Sequence, residues 1–217
     1  MNKQELSKKI DNFWFYYKWH VIVGIFVVII ASVTIYDAVT KIHPDLIIDC
    51  VTDSNISHSH TPFITDDLEA SGFVKDNNDD GNIAVQMTHT QTGRDPSTVS
   101  ADGSMMQVVQ LRMAVGESSL IITEPYILEL YDAHEIFYDL TEIADKMGIP
   151  RERRHMSEDG SKVTAINIDN TEFLSKLNIP TKDCFVAVRV LNLNQQDDEE
   201  KIKQFENAKE IMEYIAK

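Results

Sequence analysis

The chain has 217 residues, 43% of them hydrophobic and 25% charged, and 35 Asp and Glu outweigh 20 Lys and Arg to give a formal net charge of −15. Beyond residue 36 the imbalance sharpens to 16 basic and 33 acidic residues, a net −17. A surface of that sign is repelled by nucleic-acid phosphates and argues against a nucleic-acid binder. The 181 residues that follow residue 36 suffice for one well-cored domain.

Residues 1–18 read as a short cytoplasmic tail ending in the aromatic run Phe13-Trp14-Phe15-Tyr16-Tyr17-Lys18. Amphipathic rings of this kind concentrate at the headgroup level of a bilayer. Residues 19–36 follow, eighteen residues without a formally charged side chain whose polar members are His20, Ser32 and Thr34. At about 1.5 Å per residue such a helix approaches the roughly 30 Å hydrocarbon core and predicts a single transmembrane span. Lys3, Lys8, Lys9 and Lys18 precede it, whereas only Lys41 lies close behind. The positive-inside rule therefore predicts a cytoplasmic N-terminus and a large domain outside the cell membrane. A cleaved signal peptide is the competing reading, opposed by the length of the apolar run and by Tyr36 at the −3 position of the best small-residue site.

Residues 37–44 form a linker, and 45–217 the outer domain. Asp45–Val51 suits a buried strand and Asn82–Thr88 alternates as a second one, with a short helix ended by Gly72 between them. Residues 91–102 read as a loop, and 103–115 as a helix carrying Met105, Val108, Val109, Arg112 and Met113. Ser119–Thr123 is a third strand, and Pro125 opens a helix through Tyr131. Short helices are predicted from Thr141 and over 170–177, strands over 162–168 and 184–193, and an amphipathic helix over 197–217. Strands alternating with helices argue for an α/β domain with a central sheet. Cys50 and Cys184 both fall in strands, either as buried thiols or, if the strands are neighbours, as a disulfide.

The sharpest local signal is Asp76, Asn78, Asp80 and Asn82 around Gly81, which fits the opening of a calcium loop. Position twelve of that pattern, an acidic ligand in calcium loops, is Met87, so calcium competes with a solvated turn. His58 and His60 would place two imidazoles on one side of an extended strand, where His43 or His89 would join them as metal ligands; exposed loop histidines are the alternative. Glu117, Glu124, Asp132 and Glu135 are carboxylates near strand ends, and Tyr126, Tyr131, Phe137 and Tyr138 either line a pocket or pack in the core. No nucleophile elbow, zinc-protease helix, phosphate loop or dinucleotide fingerprint is present, so no catalytic residue is assigned and an enzyme is not expected.

The run from Met105 to Ile143, MMQVVQLRMAVGESSLIITEPYILELYDAHEIFYDLTEI, resembles a stretch of the extracellular solute-binding proteins of bacterial ABC importers, and Lys162–Ile168 resembles the strand that follows it there. The resemblance implies a periplasmic-binding-protein-like domain, and the length implies one lobe of it. With its YYKWH entry to the span, the chain is also similar to single-span proteins of Clostridia-like Gram-positive bacteria. The expectation is a membrane-anchored binding or interaction module for a small ligand, a peptide or a membrane protein partner. A structural or accessory subunit of an envelope complex is the alternative, ahead of an envelope hydrolase.

Overall fold

The computed structural model describes residues 3–40, 43–53, 56–92, 104–132, 134–179 and 181–217. The chain divides into two units, Met1–Ile42 and His43–Lys217.

The first unit is one helix, α1 (Lys3–Thr40). It runs well past the eighteen residues expected to be helical, because Lys3–Thr40 contains no proline and extension of an existing helix costs little once it is nucleated. Its stretch Phe13–Asp37 is 25 residues long, apolar and unburied, long enough to cross a membrane. Phe13 stacks on Tyr17 at 5.1 Å between ring centroids, one turn apart on the helix. Ser32 and Thr34 return their hydroxyls to the carbonyls of Val28 and Ile30, which hides both polar groups within the helix.

The second unit is a six-stranded mixed sheet with helices on both faces. Its strands are β1 (Leu46–Thr52), β2 (Val85–Gln91), β3 (Leu120–Thr123), β4 (Arg154–Met156), β5 (Val163–Asn167) and β6 (Phe185–Val188). Their spatial order is β2-β1-β3-β6-β5-β4, with β2, β1 and β3 parallel and the remaining pairs antiparallel. The helices α2 (Thr61–Ala70), α5 (Thr141–Lys146), α6 (Glu172–Lys176) and α7 (Glu199–Ile215) contribute to one core with Leu46, Ile48, Leu120, Ile122, Ile166 and Val186. On the other face α3 (Ser104–Val115) and α4 (Pro125–Asp132) bury Val109, Met113, Ile127 and Leu128 against Ile121, Ala165 and Ala187. Central parallel strands covered on both sides read as unbroken apolar runs, which is why β1 and β3 stand out in the sequence.

Two strands differ by three residues or more at one end or both from expectation, and one strand is unforeseen. β2 starts at Val85 rather than Asn82, because the Asp45 carboxylate takes the N–H of Ala84 into the preceding loop and pairing with β1 runs on to Gln91. β6 stops at Val188, where the chain changes partner: Tyr138 donates to the Val188 carbonyl and Val190 to that of Ile136. β4 was not anticipated, since Arg154-His155-Met156 carries no apolar run and gains its strand geometry from the hairpin with β5.

Both cysteines are buried free thiols. β3 lies between β1 and β6, so two strand spacings of roughly 4.8 Å separate the strands of Cys50 and Cys184, beyond the roughly 7 Å Cα limit of a disulfide.

Candidate functional site

Two cavities and one strand-end cluster bring chemistry-bearing side chains together. The larger cavity, about 620 Å³, opens between the end of α4, the β4–β5 turn and the segment following β6. Phe137 and Tyr138 contribute aromatic surface, and Asp132, Glu135, Asp139, Glu158 and Asp159 contribute carboxylates against a single cation, Lys162. No ion pair among the described residues involves any of these six charged groups.

Local turn chemistry puts the carboxylates there. The tight Ser157–Lys162 turn is closed by Asp159, whose Oδ1 accepts from the hydroxyls of Ser157 and Ser161 at 2.6 and 2.8 Å and from the Ser161 N–H at 3.0 Å. Those donors hold the Asp159 carboxyl down at about 2, so it is ionised throughout the neutral range. Asp139 accepts from the N–H and hydroxyl of Thr141, the first residue of α5, and Asp132 accepts from the Glu158 N–H across the mouth. Glu135 and Glu158 make no side-chain hydrogen bond or ion pair among the described residues and are exposed. The result is a half-open, aromatic-floored hollow with four more negative than positive groups, suited to a cation.

The smaller cavity, about 310 Å³, lies between α3 and the strands β1 and β2. Leu111 and Val115 wall it with Ile47, and remain 64% and 48% exposed. Behind them Asp49 is held by Arg112 at 3.0 Å and by the Ser118 hydroxyl at 2.7 Å. Arg189 lies deeper, 3% exposed, with one nitrogen on the Met113 carbonyl at 2.6 Å, and burial pulls its pKa below the ordinary value.

The cluster lies at the carboxyl ends of β1 and β3. From β1 the chain crosses to β2 on one side, while β3 lies on the other, so the strand order reverses there; open α/β sheets bind ligands at such points. Here the described side chains interlock. Glu124 accepts the Asp53 N–H at 2.8 Å, Tyr126 bonds Thr92, and Thr52 meets His89 Nε2 at 3.3 Å.

The structure disperses most of the residues singled out in the sequence. Asp132 and Glu135 meet in the larger cavity; Glu117 lies at the smaller one and Glu124 in the strand-end cluster. Of the aromatic set, Phe137 and Tyr138 reach the cavity, while Tyr131 and the buried side of Phe137 belong to the core. His58 and His60 sit in a single 3-10 turn, His58–His60, and not on an extended strand, because Pro62 at the head of α2 draws the chain into a helical entry. Among the described residues no group of three His, Cys, Asp or Glu side chains is arranged to hold a metal ion.

Asp76, Asn78, Asp80 and Asn82 fall together in the loop before β2. Asp76 Oδ2 accepts the Gly81 N–H at 2.8 Å, Asn78 Oδ1 that of Asp80 at 2.9 Å, and Asp80 Oδ1 that of Asn82 at 2.8 Å. Three of the oxygens that would meet a cation thus close the loop on itself, and Met87 lies inside β2. Asp139, Glu158, Asp159 and Lys162 escaped the sequence reading. The Asp159-Gly160 pair just ahead of the apolar Val163–Asn167 run was the available signal, since that dipeptide marks a hairpin turn.

Comparison with protein-family models, with curated proteins and with solved structures returns no match for this chain.

Proposed function

We propose that this protein is a membrane-anchored binding module, with α1 spanning the cell membrane, the N-terminus cytoplasmic and the α/β domain outside. The 620 Å³ cavity of Asp132, Glu135 and Asp159 is its ligand seat. That cavity carries the reading: its size is that of a small-molecule or peptide side-chain site, and its lining selects a cationic, partly apolar ligand such as a polyamine or a Lys- or Arg-containing peptide. The reversal of strand order between β1 and β3, together with the resemblance of Met105–Ile143, supports a domain of the solute-binding-lobe type. The four lysines ahead of the span against Lys41 behind it support the orientation.

The test is a thermal series on the full chain in detergent with spermidine, arginine and a short oligolysine, set against neutral sugars and acidic amino acids. Both tryptophans lie in α1, so unfolding of the domain is followed by far-ultraviolet circular dichroism. A ligand at 100 times its Kd adds about 2.7 kcal/mol. The reading requires a saturable rise with one cationic class that Asp132→Asn with Glu135→Gln abolishes. Identical melting with every ligand would sink it.

An accessory subunit of an envelope complex is the second reading, favoured by the exposed Leu111, Val115 and Leu193, the last 87% exposed. It requires a defined neighbour cross-linked through α3 in native membranes.

A further inference from the structure

Three of the seven histidines converge where β1 hands the chain to α2. His60 is the residue immediately ahead of Thr61–Ala70, and its Nδ1 accepts the Ser57 N–H at 3.2 Å. Only an unprotonated nitrogen accepts, so the bond exists in the neutral imidazole alone. His89, half-buried on β2, faces the Thr52 hydroxyl at 3.3 Å and the Ile56 carbonyl, and lies within electrostatic range of His58 and His60. His60 itself stands at the positive end of a ten-residue helix, where a cation is disfavoured.

We propose that His58, His60 and His89 form an acid-sensitive latch on α2: protonation breaks the His60–Ser57 bond, sets three cations against each other and the helix N-terminus, and releases the corner 56–70.

Apart from Asp53, whose carboxylate follows Thr52 at the end of β1 with one oxygen buried and unbonded, the surroundings supply little relief. Across β1, Cys50 opposes His89 and stays neutral, its thiol pushed up to about 12 by burial. Asp49, which acts on Cys50, is held by Arg112, and Glu124, which also acts on it, accepts the Asp53 N–H. On α2, Glu69 accepts the Val85 N–H, Asp67 pairs with Lys176 and Tyr214, and Asp66 is exposed. The direction agrees: burial first, then His58, lowers His89 below the ordinary imidazole value. The folded state then binds fewer protons than the unfolded one, so its stability rises with pH and is lost as pH falls through the ordinary range near 6.5. Release matters because α2 buries Ile64 and Leu68 over β1 and β2 as the crossover between them.

Amide hydrogen exchange on the full chain in detergent tests this, with labelling near pH 7.5 and near pH 5.5 and times scaled for intrinsic exchange, either side of the imidazole range. The latch requires peptides covering 56–70 to lose protection selectively at the acid pH while β5 and β6 keep theirs. Replacing the rings, His58→Gln, His60→Gln and His89→Gln together, must remove that acid loss. Should the triple variant not fold, His89→Gln alone must reduce it. Unchanged protection of 56–70 in the unaltered protein, a loss spread evenly over the domain, or an acid loss that survives the substitutions overturns the proposal.

Discussion

The Asp45 carboxylate grips the loop ahead of β2 at both ends, taking the N–H of Asn77 at 2.6 Å through one oxygen and that of Ala84 at 3.0 Å through the other. Asp45 is 1% exposed, and its own carbonyl accepts from Asn77 Nδ2 and Asn207 Nδ2. Asp45→Ala leaves two backbone donors without partners and is expected to cost about 2–4 kcal/mol, while Asp45→Asn, which keeps one acceptor, costs less. Chemical unfolding followed by circular dichroism measures both, and equal losses would contradict the two-oxygen account.

Gly116 permits the close approach of α3 to Arg189. Its φ is +73°, and a Cβ there would stand 1.9 Å from Arg189 Nη1. Gly116→Ala therefore combines a left-handed backbone with a collision against a buried guanidinium, and about 2–4 kcal/mol of stability should be lost. Gly148→Ala, with φ +66° and open space around it, isolates the backbone part and should cost about 1 kcal/mol. Comparable midpoints for the two variants would count against the collision.

The thiols should be inert while the domain is folded. Burial pushes Cys50 up to about 12 and Cys184 well above its ordinary value, so neither supplies thiolate at neutral pH. Iodoacetamide is expected to add no mass to the native protein and two adducts after denaturation, with an identical pattern before and after reductant. Denatured protein that takes up no adduct until it is reduced, and two afterwards, would reveal a disulfide.

Asp80 orders the acidic loop by accepting the Asn82 N–H, and Asp80→Ala should cost about 1 kcal/mol in the presence of chelator, the ordinary worth of one such bond. A melting temperature that rises with calcium in the unaltered protein, and not in Asp80→Ala, would assign the loop a cation besides its own amides. An identical melt with calcium and with chelator assigns it the turn alone.

Much of the α/β frame was legible because burial and period coincide. β1 and β3 are covered on both faces and appear as apolar runs, and α7 shows its Ile211, Met212 and Ile215 stripe behind the capping Asp198. The parts that escaped are set by distant partners. β4 has no propensity of its own, the start of β2 is decided by a carboxylate 39 residues earlier, and the larger cavity assembles residues from α4, a hairpin turn and the segment after β6. Asp132 and Glu135 were visible as acids, but nothing in their spacing announces Asp139, Glu158 or Asp159 across the hollow. The histidines were noticed for metal chemistry, and their meeting at one corner depends on β1 pairing with β2, which places His89 opposite Cys50.

The domain closes on its own beginning. Gln204 and Asn207 of α7 reach the carbonyls of Pro44 and Asp45 at the root of β1, and Arg153 holds the carbonyl of Ala216. On the ribosome, therefore, the first strand waits for the last helix. The polypeptide must be carried as an unfinished sheet until α7, the last helix, emerges. A chain halted before Glu199 would leave Ile48, Ile122 and Val186 without part of the layer that covers them, an open apolar face for proteases rather than a smaller stable domain.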